Sequence, residues 1–445
     1  MKKFYSVVLS IIIIFQLIFL DASSVSAYSV PSNMKWWDDA RFGMFIHFGS
    51  YSYYGQGEWA MQEQRISKKD YQTNISSNFN PTDFDATAIV DYAKKAGMKY
   101  LIITAKHHEG FSMWDTQVAS FKDYTGTKMY SLQQYTPFGS TGRDILMELK
   151  NACDAAGIEF GLYYSILDWN HSSQNIELYY SKMTSTKARA NYIKDMKAQL
   201  KELITLYDPS ILWFDGDWTY NKGTPTLSSW WTKSDGQDLY NYLKELNPDI
   251  LVNERVCRGF DLGDYECPEQ KVPAAPLSRS WETCETMNGA WGYKEKNENS
   301  YKSVKAIIQE LATVVSREGN FLLNIGPKGD GSMTSGSQEI LSGVGKWMDT
   351  YSDSIYGTSR NPFTKDPAWG TYTQKGKKVY AHVFDWPTKG KLEASALSKG
   401  KIKKIYLLNN TKTSLKYTLK KGIISISVPK TAPNADDSVI VIEYK

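Results

Sequence analysis

From Trp36 to about Tyr351 the chain alternates short apolar runs with longer amphipathic ones, the pattern of β-strands each followed by a helix. Phe42–Phe48 (FGMFIHF), Lys99–Ala105 (KYLIITA), Glu159–Ser165 (EFGLYYS), Ser210–Phe214, Ile250–Asn253 and Gly319–Ile325 (GNFLLNI) are the predicted strands. Asp85–Ala96, Asp144–Ala156, Thr186–Leu206, Asp238–Leu246, Val304–Arg317 and Gln338–Tyr351 are the predicted helices. Gly97, Gly157 and the pair Asn247-Pro248 act as helix stops. Runs that are apolar at consecutive positions suit parallel strands buried on both faces. Repeated βα units then imply helical crossovers. About seven or eight such units over roughly 320 residues favour a closed (β/α)₈-like barrel over an open sheet.

After Ser352–Pro362 the rhythm changes. Val379–Trp386, Ile402–Asn409, Lys416–Leu419, Ile423–Val428 and Ser438–Tyr444 are short alternating or β-branched runs split by Gly, Asn and Pro, with no long helical pattern among them. They predict a C-terminal antiparallel β-sandwich. The expected organisation is a barrel over 28–355 and a sandwich over 356–445. Residues 1–27 read as a cleavable secretory signal: Lys2-Lys3, the apolar run Val7–Leu20, then Val25-Ser26-Ala27 as a small-residue cleavage site. The apolar run is short for a membrane span and is closed by Asp21–Ser24, so the expectation is a secreted protein with no membrane attachment once the signal is removed.

Composition adds little to this picture except in the aromatics. Charged residues at 22% and hydrophobic ones at 42% are ordinary, whereas aromatics reach 14%, with 14 Trp and 30 Tyr. Flat apolar faces with polar edges suit the mixed faces of sugar rings, although large cores use them too. Without Lys2, Lys3 and Asp21 the formal charge falls from +4 to +3. Lys399–Lys404 is the one basic block that stands out, and nothing argues for nucleic acid. Cys153, Cys257, Cys267 and Cys284 are too few and too scattered for a disulfide scaffold, although Cys257 and Cys267 are close enough in sequence to pair. With no CxxC, a structural zinc site is not expected.

Barrel chemistry collects at the C-terminal strand ends. Read together, these ends carry His47, then His107-His108-Glu109, then Tyr163-Tyr164 within the third strand. The run Ile211–Trp218 (ILWFDGDW) ends its strand with Trp213 and Asp215; Asn253, Glu254 and Arg255 end the next, and Glu269 and Glu282 follow in the connection after it. The set holds carboxylates, imidazoles, an Arg and aromatics, with no activated Ser or Cys motif and no Gly-rich phosphate loop. Paired carboxylates in an aromatic pocket are what glycosidic cleavage needs. A metal site with His ligands is the alternative. Neighbouring residues on a strand point to opposite faces, so His107 and His108 would share an ion only if the strand has already ended there.

The segments FGMFIHFGSYS, GEWAM, AKHHEGFSMWDT, GLYYSILDW, LWFDGDW, VNERV, DYECPEQ, WETCETMNGAWGY and NFLLNIGPKGDG resemble, in order, the successive motifs of the α-L-fucosidases of glycoside hydrolase family 29. The resemblance implies a retaining exo-hydrolase acting on fucosylated glycans or oligosaccharides, a (β/α)₈-like barrel with a C-terminal β-sandwich, and no metal or other cofactor. By motif, Asp215 matches the nucleophile and Glu269 the acid/base, with Glu282 and Glu58 as rivals for that second role. Glu58 would otherwise bind a sugar hydroxyl. His47, His107, His108, Tyr164 and Arg255 match polar contacts to the sugar, Trp59 and Trp213 line the pocket, and Trp291 matches the aromatic against the C5 methyl group. Tyr163 is expected in the core. Two other readings stay open: an exo-glycosidase for a related sugar such as L-galactose, and a fucose-binding protein without turnover. Linkage preference would rest on the loops Gln56–Asn80, Thr116–Gly142 and Thr219–Asp235, and no motif speaks to oligomeric state.

Overall fold

The computed structural model describes residues 30–445 except 178–179, 184, 218, 222–223 and 227–230. The expected signal segment 1–27, together with Trp218 and part of the 219–235 loop, lies outside the described residues.

Seven parallel strands curl into one sheet: β1 Phe42–Ile46, β2 Tyr100–Lys106, β3 Glu159–Ser165, β4 Ile211–Asp215, β5 Leu251–Val252, β6 Trp281–Thr286 and β7 Gly319–Ile325, in the order β6-β7-β1-β2-β3-β4-β5. The gap between β5 and β6 is closed by residues 264–270. Asp264 N–H donates to Val252 O (2.6 Å) and Glu254 N–H to Tyr265 O (2.9 Å) on one side. On the other, Glu266 N–H donates to Ser280 O, Glu282 N–H to Glu266 O and Gln270 N–H to Cys284 O, each at 2.9 Å. This irregular segment is the eighth stave of the barrel.

Helices α1 Ala86–Lys95, α2 Ile145–Ala156, α3 Thr186–Tyr207, α4 Lys233–Leu246, α5 Val304–Val315 and α6 Ser335–Tyr351 form the outer layer. Strand period two sorts the side chains. Phe45, Tyr100, Ile102, Tyr163, Ile211, Trp213, Leu251, Cys284 and Leu322 point inward as one cluster, and Met44, Ile46, Leu101, Ile103, Leu162, Tyr164, Leu212 and Phe214 face the helices. A small residue beside a large one fills the taper: a Cβ on Gly43 would lie 2.4 Å from the Tyr100 ring.

One sequence expectation needs correction here, and one possibility left open by the sequence is decided. Trp281–Thr286 (WETCET) is a strand, so Glu282 lies in the barrel wall and not in a connection. Its alternate polar residues masked it as a strand. Cys257 and Cys267 do not pair: all four thiols are free and buried, Cys257 in the sheet–helix cluster and Cys267 inside the barrel.

The C-terminal domain packs a five-stranded antiparallel sheet on a three-stranded one. The first has the order β8-β9-β15-β11-β12, from Gly370–Lys375 (β8), Lys378–Val383 (β9), Ile402–Leu407 (β11), Asn410–Ser414 (β12) and Ser438–Tyr444 (β15). The second has the order β10-β14-β13, from Lys391–Ser395 (β10), Tyr417–Lys420 (β13) and Ile423–Ser427 (β14). Val379, Ala381, Ile424, Ile426, Ile440 and Ile442 make its core. Tyr380, Tyr406, Val439 and Val441 belong instead to the barrel's outer cluster, and Trp347 Nε1 of α6 donates to Asp437 O at 2.9 Å.

Candidate active site

The C-terminal strand ends surround a cavity of about 310 Å³. Strand β1 delivers His47, whose Nδ1 lies 2.7 Å from Asn324 Oδ1 on β7. Asn324 Nδ2 is already donating to Trp291 O at 2.8 Å, so Oδ1 accepts the imidazole proton and leaves Nε2 as an acceptor. Burial, reinforced by His107 alongside, holds the His47 pKa well below the ordinary imidazole value.

Strand β2 ends at Lys106, and both following histidines reach the cavity. His107 stacks on Tyr163, with ring centres 5.4 Å apart. His108 Nδ1 lies 2.6 Å from Ser165 Oγ, which donates its own proton to Leu167 O at 2.5 Å. His108 therefore carries its proton on Nδ1 and presents the Nε2 lone pair 3.7 Å from Asp215 Oδ2. Burial first, then His107 and Lys106, hold its pKa well down as well.

Strand β4 ends with Asp215. The chain must turn sharply behind it: Gly216 has φ +76°, and a Cβ there would lie 2.7 Å from Leu167 N. Asp215 Oδ1 accepts from Arg255 Nη1 at 3.2 Å and from Arg258 Nη2 at 2.7 Å, and Tyr163 OH reaches Oδ2 at 3.5 Å. Arg255 comes from a short helical turn after β5 and lies over the Trp213 ring at 4.6 Å. Its other nitrogen, Nη2, donates to Glu269 Oε2 at 2.9 Å. One guanidinium thus spans two carboxylates on neighbouring parts of the rim. Glu269, on the eighth stave, is the open one of the pair, with 41% of its side chain exposed against 13% for Asp215.

Beneath this rim the barrel is sealed. Glu282 is fully buried; Tyr100 OH donates to Oε2 at 2.5 Å and Trp213 Nε1 to Oε1 at 3.0 Å. Burial pushes its carboxyl up to about 7. Among the described residues no group of three or more His, Cys, Asp or Glu is arranged to hold a metal ion.

Of the residues expected from sequence, His47, Trp59, His107, His108, Trp213, Asp215, Arg255, Glu269 and Trp291 line the one cavity. Three do not. Tyr164 faces outward, its OH donating to Gln199 Oε1 of α3 at 2.8 Å, while its neighbour Tyr163, buried in the inner core cluster as expected, also lines the cavity. Neighbouring strand residues point to opposite faces, so one register position exchanges the two. Glu282 lies under the floor. Glu58 stands behind the wall, 8% exposed, its Oε2 accepting Gly292 N–H at 2.8 Å; burial raises its pKa. It braces the turn that carries Trp291.

Phe45, Tyr163, Arg258 and Cys284 also line the cavity, and sequence reasoning missed them there. Arg258 is the most consequential, because its Nε donates to Asp217 Oδ1 at 2.8 Å and its backbone N–H to Asp217 Oδ2 at 2.7 Å while Nη2 holds Asp215. A second Arg three residues beyond Arg255 on the same rim was the available signal.

The sequence and the fold match those of known proteins. The family model described as alpha-L-fucosidase matches residues 22–353, and that of the alpha-L-fucosidase C-terminal domain matches 360–441. The chain belongs to the α-L-fucosidase family. Within this family it is similar to human tissue alpha-L-fucosidase, 31% identical over 443 residues, covering 93% of this chain and 88% of that one. The alpha-L-fucosidase of Dictyostelium discoideum is 30% identical, with 89% of each chain covered. Among solved structures, alpha-L-fucosidase isoenzyme 1 from Paenibacillus thiaminolyticus superposes with a TM-score of 0.80 at 31% identity, over 93% of this chain and 99% of that one. A glycoside hydrolase family 29 α-L-fucosidase from Bacteroides thetaiotaomicron, solved as a trapped covalent intermediate with 2-fluoro-fucosyl fluoride, gives 0.80 at 29% identity, over 94% and 97%. The chain is accordingly a glycoside hydrolase of the α-L-fucosidase type.

Proposed function

We propose that this α-L-fucosidase is an exported, exo-acting, retaining enzyme that releases terminal α-L-fucosyl residues from oligosaccharides or glycoconjugates. The observation that carries the reading is the shared guanidinium of Arg255, with Asp215 on one nitrogen and Glu269 on the other. In the first step an Asp215 oxygen attacks the anomeric carbon, the glycosidic C–O bond breaks, and Glu269 gives its proton to the departing oxygen. In the second, Glu269 takes a proton from water, whose oxygen attacks the same carbon and displaces Asp215. Two inversions leave the configuration retained.

The openness of Glu269 supports its role, since an acid/base must meet both the leaving group and water, which buried Glu282 cannot do. Exo action is supported by the sealed floor of Glu282, Tyr100 and Trp213, which makes the pocket blind. The lone pairs on His47 Nε2 and His108 Nε2 are acceptors for sugar hydroxyls, and Phe45 and Trp291, 6.1 Å apart, offer an apolar wall to the C5 methyl group. A contact of that size is worth about 1–3 kcal/mol, so rejection of a CH₂OH there rests on steric exclusion as well. Export is supported by Lys2-Lys3, the Val7–Leu20 run and the Ala27 cleavage pattern.

Proton NMR during hydrolysis of an aryl α-L-fucoside tests the reading. The α-anomer of fucose is expected first, with the β-anomer growing in only by mutarotation. Initial release of the β-anomer would make the enzyme inverting.

A further inference from the structure

The net charge of +3 on residues 28–445 conceals a separation. Residues 28–355 hold 33 Lys and Arg against 41 Asp and Glu, a net −8, whereas 356–445 hold 17 against 6, a net +11, and 16 of those 17 are lysines. Asymmetry of this size between two parts of a chain is a signature of binding to a polyanion.

Strand pairing gathers the lysines at one end of the sandwich. The β8–β9 turn there carries Lys375, Lys377 and Lys378. Tyr444 N–H donates to Lys377 O and Lys445 N–H to Lys401 O, both at 2.9 Å, so this turn meets the last residues of β15 and the start of β11 with Lys403. Ala396 N–H to Gly422 O (2.9 Å) and Leu397 N–H to Tyr444 OH (3.0 Å) bring the β13–β14 turn, with Lys420 and Lys421, to the same end. Glu443, with which Lys403 already pairs at 2.6 Å, and Asp353 are the two acidic side chains among those that line this end. Asp385, Asp436 and Asp437 belong to the opposite end, where Val383 of β9 pairs with Ser438 of β15.

Beside Asp353 the lysine end opens into a cleft of about 430 Å³ lined by Lys375, Lys377, Lys378, Lys403 and Lys445. Lys375 Nζ donates to Tyr356 O at 2.9 Å, and Lys378 stands directly opposite Glu443 across the β9–β15 pairing and helps hold that carboxyl below its ordinary value; among the described residues no hydrogen bond or ion pair is formed by the ammonium groups of Lys377 and Lys445. Like charges gathered this way repel one another and weaken the fold unless a counter-charge is supplied from outside.

We propose that this lysine end is a docking site for an acidic polysaccharide, a glycan chain bearing carboxylate or sulfate groups, which holds the enzyme on the material whose fucosyl ends it removes. The choice of a glycan rests on the fucosidase reading; the anionic character of the partner does not. A cleft suits an extended chain better than a flat bilayer, and none of its lining side chains is an exposed large apolar one. Single-stranded nucleic acid is bound on exposed aromatic platforms, whereas Tyr380 and Tyr444 in this cleft are 2% and 4% exposed. Lysine supplies hydrated point charges suited to anions spaced along a chain, not forked recognition of a single phosphate.

The test is fluorescence anisotropy of the full chain with labelled heparin and labelled polygalacturonate, each at 50 and 200 mM salt. Comparison is with Lys377→Glu/Lys378→Glu/Lys445→Glu and with a control at the opposite end, Lys389→Glu/Lys391→Glu. The expected result is binding of at least one glycan that weakens steeply with salt, falls at least tenfold in the triple variant, and changes less than threefold in the control. Equal loss in both variants, no binding of either glycan, or tighter binding of a 20-nucleotide single-stranded DNA or of phosphatidylserine vesicles would overturn the proposal. Turnover of an aryl α-L-fucoside by the same preparations, expected to be unchanged in both variants, reports separately on the fucosidase reading.

Discussion

Glu269 and Glu282 sit on neighbouring staves of one barrel and live in opposite surroundings. Glu269 is 41% exposed at the rim and ion-paired to Arg255; Glu282 is fully buried beneath it and hydrogen-bonded by Tyr100 and Trp213. The same carboxyl group is available to chemistry in the first place and is a neutral structural acid in the second up to a pH of about 7. Depth along the barrel axis, not residue type, sets the role. The rim collects charges that face each other across water-accessible space, and the floor collects polar groups that satisfy one another and exclude water.

The sealed side of this comparison extends to Lys106 and Asp168, 3.0 Å apart and both fully buried behind His108. Burial alone would raise the Asp168 pKa, but Lys106 overrides it and holds the carboxyl below the usual range. Replacing Lys106 with Met leaves a buried charge unpaired, and a loss of about 3–5 kcal/mol in urea-unfolding free energy is expected. A loss below 1 kcal/mol would mean that the pair is not sealed.

Glu282→Gln sharpens the contrast through pH. A carboxyl whose folded pKa is raised from 4.5 to about 7 binds its proton more tightly in the native state. Its contribution to stability is therefore full below about 4.5 and is lost as pH rises to about 7, a decline of roughly 3 kcal/mol. The difference in unfolding free energy between wild type and Glu282→Gln should shift by that amount in favour of the variant between pH 4.5 and 8. Parallel profiles would place Glu282 in contact with solvent.

On the open side, Arg258→Ala removes a charged hydrogen bond to Asp215 and uncovers Asp217, whose pKa burial already raises from its ordinary value. A fall in kcat of roughly 10- to 100-fold is expected, with the folded state retained by circular dichroism. Unchanged kcat would reduce Arg258 to a surface partner. The smallest effects separate the two tyrosines. Tyr163→Phe is expected to lower kcat/KM several-fold, whereas Tyr164→Phe should leave turnover intact and cost about 1 kcal/mol of stability through the lost bond to Gln199. The reverse pattern would mean that the register of β3 is shifted by one residue.

Much of this arrangement was legible in the order of residues. Strands buried on both faces, such as Tyr100–Lys106 and Ile211–Asp215, announce themselves as unbroken apolar runs, and the residue that ends such a run falls at the rim. Asp215 and the His107-His108 pair were found in this way. Strand β6 and the eighth stave were not, because their inward positions carry Glu282, Tyr265 and Cys267, and polar residues at a barrel's centre break the apolar pattern by which strands are recognised. Tyr163 and Tyr164 were exchanged because adjacent strand residues of one type offer no cue to parity; only pairing with β4, which sets Tyr163 opposite Trp213, resolves it. Arg258 escaped notice because it follows a 3₁₀ turn, where no strand or helix period says which way a side chain points.

The most direct test of the division between rim and floor is turnover of an aryl α-L-fucoside by Asp215→Ala, Glu269→Ala and Glu282→Ala, each with and without azide. Asp215→Ala is expected to lose about 10⁴-fold or more in kcat. Glu269→Ala should still cleave the activated leaving group and be accelerated by azide, yielding the α-fucosyl azide, while Glu282→Ala should show no such acceleration. Azide rescue of Glu282→Ala in place of Glu269→Ala would contradict the account, because it would put the acid/base on the sealed floor.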